Sequence, residues 1–597
     1  MLAEAAHVEN TAAFGVARSF SGRSWTLRHA PDDAVRALAL RWNISPLMAR
    51  LLVARGMPDG EMESFLNPTL KQLLPEPRAL KDVDKAVARL CLAIERNEKI
   101  AVFGDYDVDG SCSSALMSEF LTALGRKPRI YIPDRLTEGY GPSAAAFATL
   151  KNEGASVIVT VDCGAAATAA LQSARDAGVD VVVLDHHAIE TAPPAFAQVN
   201  PNQPGDTSGL GHLCAAGVTF VFLVALNREL RDSGWYAANS VAEPDLRDSL
   251  DLVGLATICD VVPLVGVNRA FVRAGLARLS ILARPAIRAL AEIAGIAPPF
   301  TPYHLGFLFG PRINAGGRVG KCSLGAELLI ERDPDRAAEL AALLDVHNKE
   351  RQALERLILE EALVMGALQA NAPFVLVHGE GWHSGVVGIV AGRLKERFNK
   401  PALVAGFEGG MGRGSARSIP GIDIGAMIRA AHAGGHLHSG GGHAMAAGFS
   451  LDAAKLDVFR EFLELRFNGH GEAFDAASEL ALDLAISPRG ATPDLVNEIA
   501  RVGPFGAGNP EPLLVAPDVR VAFADVVGKD HVRLRLEGGD GARLDAIAFR
   551  AASAPLGEAL LAARGQRIHA AGKLKIDDWN GRVRVQFIVE DAAPAVA

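Results

Sequence analysis

From about residue 81 onward the chain alternates short apolar runs with amphipathic stretches, and this pattern predicts an α/β fold. The runs "IAVFG", "SVIVTVDCG" and "VDVVVLDHH" are short and almost continuously apolar, which is typical of parallel strands buried on both faces. Stretches with helical spacing, such as "SCSSALMSEFLTALG" and "AATAALQSARDAG", separate these runs. We therefore expect a parallel sheet that is covered by helices on both sides.

The pattern changes along the chain and divides it into five predicted regions. These are a helical N-terminal region (1–80), a first α/β domain (81–270), a helical connector (271–368), a second α/β domain (369–470) and a small β-barrel (471–597). Leucines recur among charges from Asp335 to Leu368, which predicts one long amphipathic helix in the connector. The alternating segments "HVRLRLEG" and "RVRVQFIVED" predict the strands of the barrel.

Composition narrows the class of protein. At 597 residues the chain is too long for one core, and its net charge of −9 argues against a basic surface for nonspecific binding of duplex DNA. Six cysteines form no CxxC pair, so the sequence indicates neither a zinc ribbon nor a disulfide framework. It contains no apolar run near the ~20 residues of a membrane span and no secretory signal pattern, so we expect a cytoplasmic protein without a membrane partner.

The segment "GDYDVDG" places three aspartates, Asp105, Asp107 and Asp109, within five residues. Carboxylates this close repel one another unless a cation or hydrogen-bond donors compensate their charge, so the segment suggests a metal site. A solvated turn is the simpler alternative. An EF-hand loop is a third, but its twelfth position requires Glu and here holds Leu116.

Further acidic and imidazole groups stand at the ends of other apolar runs: Asp162, the trio Asp185, His186 and His187, and Asp260. Each alone could be a helix cap or an ordinary surface residue. Together they suggest that several strands of one sheet each deliver a polar residue to the same edge, where open α/β sheets bind ligands. Oxygen ligands with one or two imidazoles favour Mn²⁺ or Mg²⁺ over zinc, and such a centre suits hydrolysis of a phosphate ester or anhydride.

Several motifs carry a resemblance to a known family. In order and spacing, "GDYDVDG", "VDCG", "LDHH" and "ICDVVPL" resemble the four motifs of the DHH phosphoesterase superfamily, and "GSARS" and "GGGHAMAAG" resemble its DHHA1-type second domain. The segments "GPRINAGGRVG" and "GWHSGVVGIVAGRL", with the connector and the barrel, resemble the bacterial single-strand-specific 5′→3′ exonucleases of this superfamily over about residues 40–590. The resemblance implies that the barrel is similar to an OB-fold.

The resemblance also implies a role for each matching residue. The implied metal ligands are Asp107, Asp109, Asp162, His186 and Asp260, with Asp162 bridging two ions. The implied catalytic group comprises Asp105, Asp185, which orients a histidine, and His187, which contacts a phosphate or donates a proton. The implied substrate-binding residues are Arg135, Arg312, Asn314, Arg318, Ser415, Arg417, Gly441, Gly442 and His443. Among them Arg318, Ser415 and Arg417 would hold a terminal 5′-phosphate, although Arg312 or Arg318 could instead form a salt bridge and the glycines a plain turn.

One position departs from the family pattern. Many smaller DHH enzymes carry a histidine four residues before the first aspartate of the D-x-D pair, and this chain has Phe103 there. We therefore expect a two-metal site for Mn²⁺ or Mg²⁺ in which one ion binds more weakly, with Asp105 serving mainly the weaker site.

The expected function is a metal-dependent exonuclease that digests single-stranded DNA from the 5′ end in DNA repair and recombination. The resemblance further implies a monomer that works beside a single-strand-binding protein and a helicase. Two alternatives remain: a phosphodiesterase for short oligonucleotides or cyclic dinucleotides, and an inactive DHH-related replication scaffold. The extra ~130 residues after the second domain disfavour the first, and retention of all the implied ligands disfavours the second.

Overall fold

The computed structural model describes residues 12–135, 137–369, 371–468, 470, 471, 474, 478–579 and 582–595. Parts of four predicted regions, including residues 1–11 of the helical N-terminal region, lie outside these ranges. The chain forms two compact units, the first of residues 1–62, 361–503 and 510–597 and the second of residues 63–360 and 504–509. No helix in the described part of the chain is both long and apolar enough to cross a membrane.

The described part of the N-terminal region is mainly helical, as predicted, but it also contains one strand. Its elements are β1 (Ser24–Leu27), α1 (Asp32–Trp42), α2 (Pro46–Ala54), α3 (Met62–Leu66) and α4 (Leu70–Leu73). Trp25 of β1 is fully buried, and its Nε1 donates to Asp591 Oδ2 at 2.9 Å. This strand therefore packs with the C-terminal part of its own unit, which the local sequence pattern does not reveal.

A parallel sheet forms the centre of the second unit and confirms the predicted fold class. Its elements are α5 (Val83–Glu95), β2 (Ile100–Gly104), α6 (Val108–Ala123), β3 (Arg129–Tyr131), α7 (Ala144–Asn152), β4 (Val157–Val161), α8 (Thr168–Asp176), β5 (Asp180–Leu184), β6 (Ala197–Val199), α9 (Ala215–Asp232), α10 (Trp235–Asn239) and α11 (Leu250–Cys259). The five strands lie in the order β3-β2-β4-β5-β6, and all neighbouring strands are parallel. Every residue of β2 and β4 is buried, because helices cover both faces.

The sequence interpretation was wrong about the run that ends at Asp260. We expected a strand of the sheet, but "LDLVGLATIC" forms helix α11 and Asp260 is its C-terminal cap residue. Eight of the ten residues of α11 are buried. A helix that is apolar on all sides has no polar face to set a period, and a short run of this kind cannot be distinguished from a buried strand.

The second unit continues as a series of helices. They are α12 (Val267–Leu279), α13 (Pro285–Ala294), α14 (Pro302–His304), a π-helical turn (Leu305–Phe309), α15 (Gly310–Ile313), α16 (Gly316–Val319), α17 (Leu324–Ile330) and α18 (Pro334–Ala367). Helix α18 has 34 residues and confirms the long connector helix. The exact bounds of the five predicted regions stay a prediction.

A mixed sheet and a barrel complete the first unit. The sheet elements are β7 (Val375–Glu380), α19 (Ser384–Phe398), β8 (Ala402–Glu408), β9 (Met411–Arg417), α20 (Ile424–Ala433), β10 (Ser439–His443), β11 (Ala446–Asp452) and α21 (Leu456–Phe467). Strand β12 (Glu479–Leu482) pairs in parallel with β1 as a separate two-stranded sheet. The barrel elements are β13 (Leu484–Ala485), α22 (Pro493–Ala500), β14 (Leu514–Val527), β15 (His531–Glu537), β16 (Arg543–Ala548), α23 (Pro555–Ala562), β17 (Arg567–Trp579) and β18 (Arg582–Pro594).

The mixed sheet of the first unit is open, whereas the sheet of its barrel is closed. Strands follow the order β10-β11-β9-β8-β7 in the mixed sheet, where β7 and β8 are parallel and the other pairs are antiparallel. In the barrel, β14 pairs with both β15 and β17, so the order β14-β15-β16-β18-β17 returns to β14. This closed five-stranded barrel confirms the predicted OB-like domain.

Candidate functional site

The turn between β2 and α6 holds the three clustered aspartates. Asp105 directly follows β2, and Asp107 caps α6 by accepting a hydrogen bond from the Gly110 N–H at 3.0 Å. A Cβ on Gly110 would lie 2.5 Å from the Asp105 carbonyl oxygen, and one on Gly104 would lie 2.1 Å from a serine hydroxyl of α6. The glycines thus let the helix start close to the strand end, which brings the aspartates together.

The next two strands of the sheet add the other expected groups. Asp162 directly follows β4 with a left-handed φ of 59°, and its N–H donates to the Leu184 carbonyl at 3.0 Å. Asp185, His186 and His187 directly follow β5. Because neighbouring strands are parallel, their carboxyl ends share one edge of the sheet, as the sequence predicted.

The five predicted metal ligands and two of the predicted catalytic residues form overlapping groups of possible metal ligands. Within each group the ligand atoms lie within 4.8 Å of one another, and the groups are Asp105–Asp107–Asp162, Asp109–His186–Asp260 and Asp162–His186–His187. His186 Nε2 lies 3.5 Å from an Asp162 oxygen and 3.6 Å from an Asp260 oxygen. Asp162 and His186 each belong to two groups, so the geometry is suited to adjacent ions.

Burial makes these carboxylates unfavourable as isolated anions. Burial, and then the neighbouring carboxylates, raise the pKa of Asp105 and Asp162 well above the usual value, that of Asp109 to about 7 and that of Asp260 to about 9. Asp105 Oδ1 and Asp260 Oδ2 are buried without a hydrogen-bond donor. A divalent cation would compensate both the charge and the missing contacts, and a set rich in carboxylate oxygens fits Mn²⁺ or Mg²⁺.

His186 is held as a neutral imidazole, the form that can bind a metal ion. Burial, and then the charge of His187, lower the pKa of His186 to about 4, so its imidazole is unprotonated at neutral pH. A hydrogen bond between the His186 ring and the Leu213 backbone acts in the opposite direction and raises this pKa, but its effect is smaller than that of burial. Contacts of this kind fix the ring orientation of histidines that bind metals.

Asp185 supports the two histidines without belonging to a ligand group. Its Oδ1 lies 2.7 Å from His187 Nδ1 and accepts the His186 N–H at 2.7 Å, and its Oδ2 accepts the Ala165 N–H at 3.0 Å. Burial disfavours the charged forms of both Asp185 and His187. The hydrogen bond and the charge attraction between them outweigh burial, so the pKa of Asp185 falls to about 2 and that of His187 rises to about 9. This hydrogen bond is the contact that an orienting role for Asp185 requires, and the role itself stays a prediction.

Asparagines next to the cluster escaped the sequence analysis. The fully buried Asn200 donates from Nδ2 to the His187 carbonyl at 2.8 Å, and Asn202 donates from Nδ2 to the His186 carbonyl at 2.6 Å. They fix the backbone of both histidines. The only signal was their place in "VNPNQ", directly after β6 of the same sheet.

Two further contacts were also missed. The Tyr140 hydroxyl lies 3.4 Å from His187 Nε2 and 3.3 Å from the Asp162 carbonyl oxygen. Asp109 accepts the Ala215 and Ala216 N–H groups, at 2.6 and 2.8 Å, at the start of α9. A helix N-terminus stabilises negative charge, so α9 positions this carboxylate.

The expected substrate residues of the second unit have differing surroundings. Arg312 donates to Asp345 at 2.9 Å and to the Leu308 carbonyl at 2.8 Å, which is the salt-bridge alternative that the sequence left open. The Arg135 guanidinium lies 5.4 Å from the centre of the Tyr106 ring. Asn314 ends α15 with a buried Oδ1 that lacks a hydrogen-bond donor, and Arg318 lies on α16.

The remaining expected substrate residues belong to the first unit. Arg417 NH1 donates to Ser415 Oγ at 2.9 Å, and both residues lie on β9. A Cβ on Gly388 of α19 would lie 3.0 Å from Ser415 Oγ and 3.1 Å from Arg417 NH2, so glycine leaves room beside these groups. Burial lowers the pKa of Arg417 from its very high usual value.

The predicted glycine-rich motif lies on edge strand β10. Gly441 has open space where a Cβ would stand, and Gly442 has a left-handed φ of 147°. A Cβ on Gly442 would also lie 2.5 Å from the Ala446 carbonyl oxygen. Gly442 and His443 are exposed, so this strand presents backbone groups at the surface.

Comparison with known families matches three segments of the chain. Residues 99–256 match the N-terminal domain of the DHH family, residues 371–469 match the DHHA1 domain, and residues 482–591 match the RecJ OB domain. These segments coincide with the parallel sheet, the mixed sheet and the closed barrel. The fold and the family assignments therefore agree.

Relatives resemble the chain over most of its length. The single-stranded-DNA-specific exonuclease RecJ of Dickeya dadantii is 36% identical, with 92% of this chain and 96% of the relative covered. The protein of the same name from Escherichia coli is 35% identical with the same coverage. The crystal structure of Thermus thermophilus RecJ with Mn²⁺ matches with a TM-score of 0.78 and 30% identity, over 96% of this chain and 80% of that one. The chain belongs to the RecJ family of single-stranded-DNA-specific exonucleases.

Proposed function

We propose that this protein is a metal-dependent exonuclease that hydrolyses the phosphodiester bonds of single-stranded DNA from the 5′ end, in DNA repair and recombination. The observation that carries the proposal is the convergence of the acidic and imidazole groups at one sheet edge. Buried carboxylates that repel one another lower the stability of a protein unless they bind a cation, so their presence favours an active metal centre over an inactive scaffold. The closed barrel is a second argument for a single-stranded nucleic acid as the substrate, because OB-like barrels bind single strands.

The metal-binding residues follow from the ligand groups. Asp107, Asp109, Asp162, His186 and Asp260 would hold Mn²⁺ or Mg²⁺, with Asp162 between two ions. Solved structures of Thermus thermophilus RecJ contain Mn²⁺ in one case and Mg²⁺ in another. When bound, such ions activate water and neutralise charge that develops on phosphoryl oxygens.

The residues around the ions orient and protonate the substrate. His187, held at Nδ1 by Asp185, directs Nε2 away from that carboxylate and can donate to a phosphate oxygen or to the leaving group. Asp105 keeps one oxygen unpaired beside Asp107 and Asp162, where it can complete a ligand set or accept a proton from water. These roles account for the three catalytic residues inferred from the sequence.

The two ion sites would differ in affinity. Phe103 occupies the position of the missing histidine, and its ring is fully buried and stacks on Tyr131 with centroids 5.3 Å apart. It supplies no ligand. The ion near Asp105 and Asp107 would therefore have carboxylates as its only protein ligands in its group, whereas the ion near Asp109 and Asp260 would also have the His186 imidazole.

The first unit would bind the 5′ end of the strand. Ser415 and Arg417 offer a hydroxyl and a guanidinium on one strand, and such groups suit a terminal phosphate. The exposed backbone of Gly442, next to the half-buried Gly441, can approach a neighbouring phosphate. Arg135, Asn314, Arg318 and His443 would contact the rest of the strand, whereas Arg312 would act through its ion pair with Asp345.

Family membership also supports a proposal about the oligomeric state, the location and the partners of the enzyme. We propose that it acts as a monomer in the cytoplasm, on single strands exposed by a helicase and covered by a single-strand-binding protein. Sedimentation at several concentrations tests the monomer. Pull-down with the tagged chain, with and without nuclease treatment, tests direct contact with the two proteins.

Digestion of end-labelled strands tests the central activity. With Mn²⁺ present, single-stranded DNA labelled at the 5′ end should release its label as the first small product, whereas a 3′ label should remain on progressively shorter strands. Matched RNA and duplex DNA should remain intact. Release of the 3′ label first, or equal digestion of RNA, would contradict the proposal.

A further inference from the structure

Two aromatic side chains of the second unit are exposed beside the candidate active site. The side chains of Tyr303 and Phe307 are 61% and 67% exposed. Their rings stack on each other, with centroids 5.0 Å apart and planes 24° from parallel. A stacked pair of flat rings with exposed surface can extend its stack to a further planar group.

The backbone that carries the pair is attached to the helix that ends at the metal cluster. Cys259 Sγ lies 3.5 Å from the Leu305 carbonyl oxygen, to which it donates, and Asp260 is the next residue. Leu305 stands midway between Tyr303 and Phe307 and is fully buried. The segment that carries the pair is therefore joined to the residue before Asp260 by a direct hydrogen bond.

The segment that carries the pair, residues 301–308, contains no Asp, Glu, Lys or Arg. His304 Nδ1 accepts the Thr301 N–H at 3.2 Å, and burial lowers the pKa of His304, which disfavours the charged form of its ring. Val261, which follows Asp260, is 67% exposed. The acidic cluster thus borders an apolar surface, which suits the uncharged bases of a strand better than its phosphates.

We propose that Tyr303 and Phe307 form a stacking platform for a nucleobase of the single-stranded substrate. This inference rests on the proposed function, because only a nucleic acid bound at the metal cluster would bring a base to these rings. Continuity with the active site favours this occupant over a protein partner. The platform would recognise unpaired bases of any sequence, since every base has a flat face.

Binding measurements with abasic strands test the platform directly. Non-cleavable strands that lack one base, at each of the first six positions in turn, are titrated against the parent protein and Tyr303→Ala/Phe307→Ala in the presence of Mn²⁺. One missing base should weaken binding to the parent by about 10-fold. The same strand should bind the double variant within about 2-fold of the intact strand, because the stacking partner is already absent.

Companion variants separate stacking from general damage. Phe307→Trp should retain the penalty for the missing base, and Phe307→Leu should lose most of it. Ile281→Ala, at a similarly exposed apolar residue of the same unit, should behave as the parent. Unchanged thermal unfolding of the double variant would confirm that its fold is intact.

Equal penalties in the parent and the double variant at every position would overturn the inference. The same holds if the double variant binds intact strands as tightly as the parent, the result expected if the rings dock a protein. Because the strands cannot be cleaved, the measured affinities do not depend on the catalytic roles. Failure of the proposed function would appear separately, as hydrolysis that survives loss of the metal ligands.

Discussion

The two α/β sheets of this chain place their functional side chains differently. In the parallel sheet the polar residues follow the strands, as Asp105 and Asp162 do, and gather at one edge. In the mixed sheet Ser415 and Arg417 lie within strand β9 itself. The first site is buried and acidic, and the second offers a guanidinium and a hydroxyl. The first site thus requires a cation before it can accept a phosphate, whereas the second can bind one directly.

Loss of the shared carboxylate should have the largest effect. Asp162→Ala removes the group common to two ligand groups, so hydrolysis of single-stranded DNA should fall by at least about 10³-fold, because metal catalysis supplies several kcal/mol. The protein should remain folded and still bind strands. Retention of more than a few per cent of activity at saturating Mn²⁺ would contradict the role of Asp162.

The guanidinium of the mixed sheet should control selection of the 5′ end. Arg417→Ala should remove the preference for 5′-phosphorylated over 5′-hydroxyl strands, a loss of about 1.5–3 kcal/mol that corresponds to roughly 10–150-fold. The measurement is the ratio of kcat/KM values for the two strands. Arg413→Ala is the matched control, since Arg413 is exposed on the same strand and should leave the ratio unchanged. An unaltered ratio in Arg417→Ala would place the phosphate elsewhere.

Substitution of Asn202 tests whether the histidines at the acidic edge must be held in a fixed position. Asn202→Ala frees the His186 carbonyl and should lower activity or Mn²⁺ affinity by about 10–100-fold, the usual cost of losing an outer contact to a metal ligand. Raising the Mn²⁺ concentration should recover part of the loss. Asn239→Ala, at a surface helix end, should have no such effect. Full activity of Asn202→Ala at limiting Mn²⁺ would show that its contact is dispensable.

The buried carboxylates also predict how stability depends on pH. Aspartates titrate near pH 3.9 when unfolded, but in the folded protein the pKa of Asp109 is about 7 and that of Asp260 about 9. The folded state therefore binds more protons between about pH 4 and 9, and metal-free stability should fall as pH rises through this window. Thermal unfolding with chelator should drop by about 5 °C or more between pH 6 and 9.

Two comparisons check this pH dependence. Asp260→Asn should make the unfolding temperature less dependent on pH, since the pKa of Asp260, about 9, is higher than that of Asp109, about 7. Saturating Mn²⁺ should reduce the loss at pH 9, because the ion stabilises the charged carboxylates. A metal-free protein that becomes more stable from pH 6 to 9 would contradict the raised pKa values.

The contrast between the two sheets also explains what the sequence could predict. Apolar runs that end in Asp105, Asp162 and Asp185 revealed the parallel sheet and its acidic edge, because each strand is buried throughout and its first polar residue marks its end. Asp260 was located but placed on the wrong type of element, since a fully buried helix has no polar face. The pocket of Ser415 and Arg417 came only from the family motif, because short alternating strands place neighbouring residues on opposite faces without marking a site.

Contacts between distant parts of the chain were beyond sequence reasoning. Asn200 and Asn202 donate to the backbone carbonyls of His187 and His186. Because every residue has a backbone carbonyl, the sequence does not indicate which residue accepts these hydrogen bonds. Tyr140 reaches His187 from a loop 47 residues away. The burial of Trp25 against Asp591 joins residues 566 apart along the chain.

Calorimetric titration with Mn²⁺ tests the central claim, that the acidic edge is a two-ion centre. We expect one ion to bind tightly and a second more weakly, with the weaker site strengthened by a non-cleavable single strand that supplies phosphate oxygens. Asp162→Ala should weaken both sites, and Asp105→Asn mainly the weaker one. Two equally tight sites in the free protein, or Mn²⁺ binding that Asp162→Ala leaves unchanged, would contradict this account.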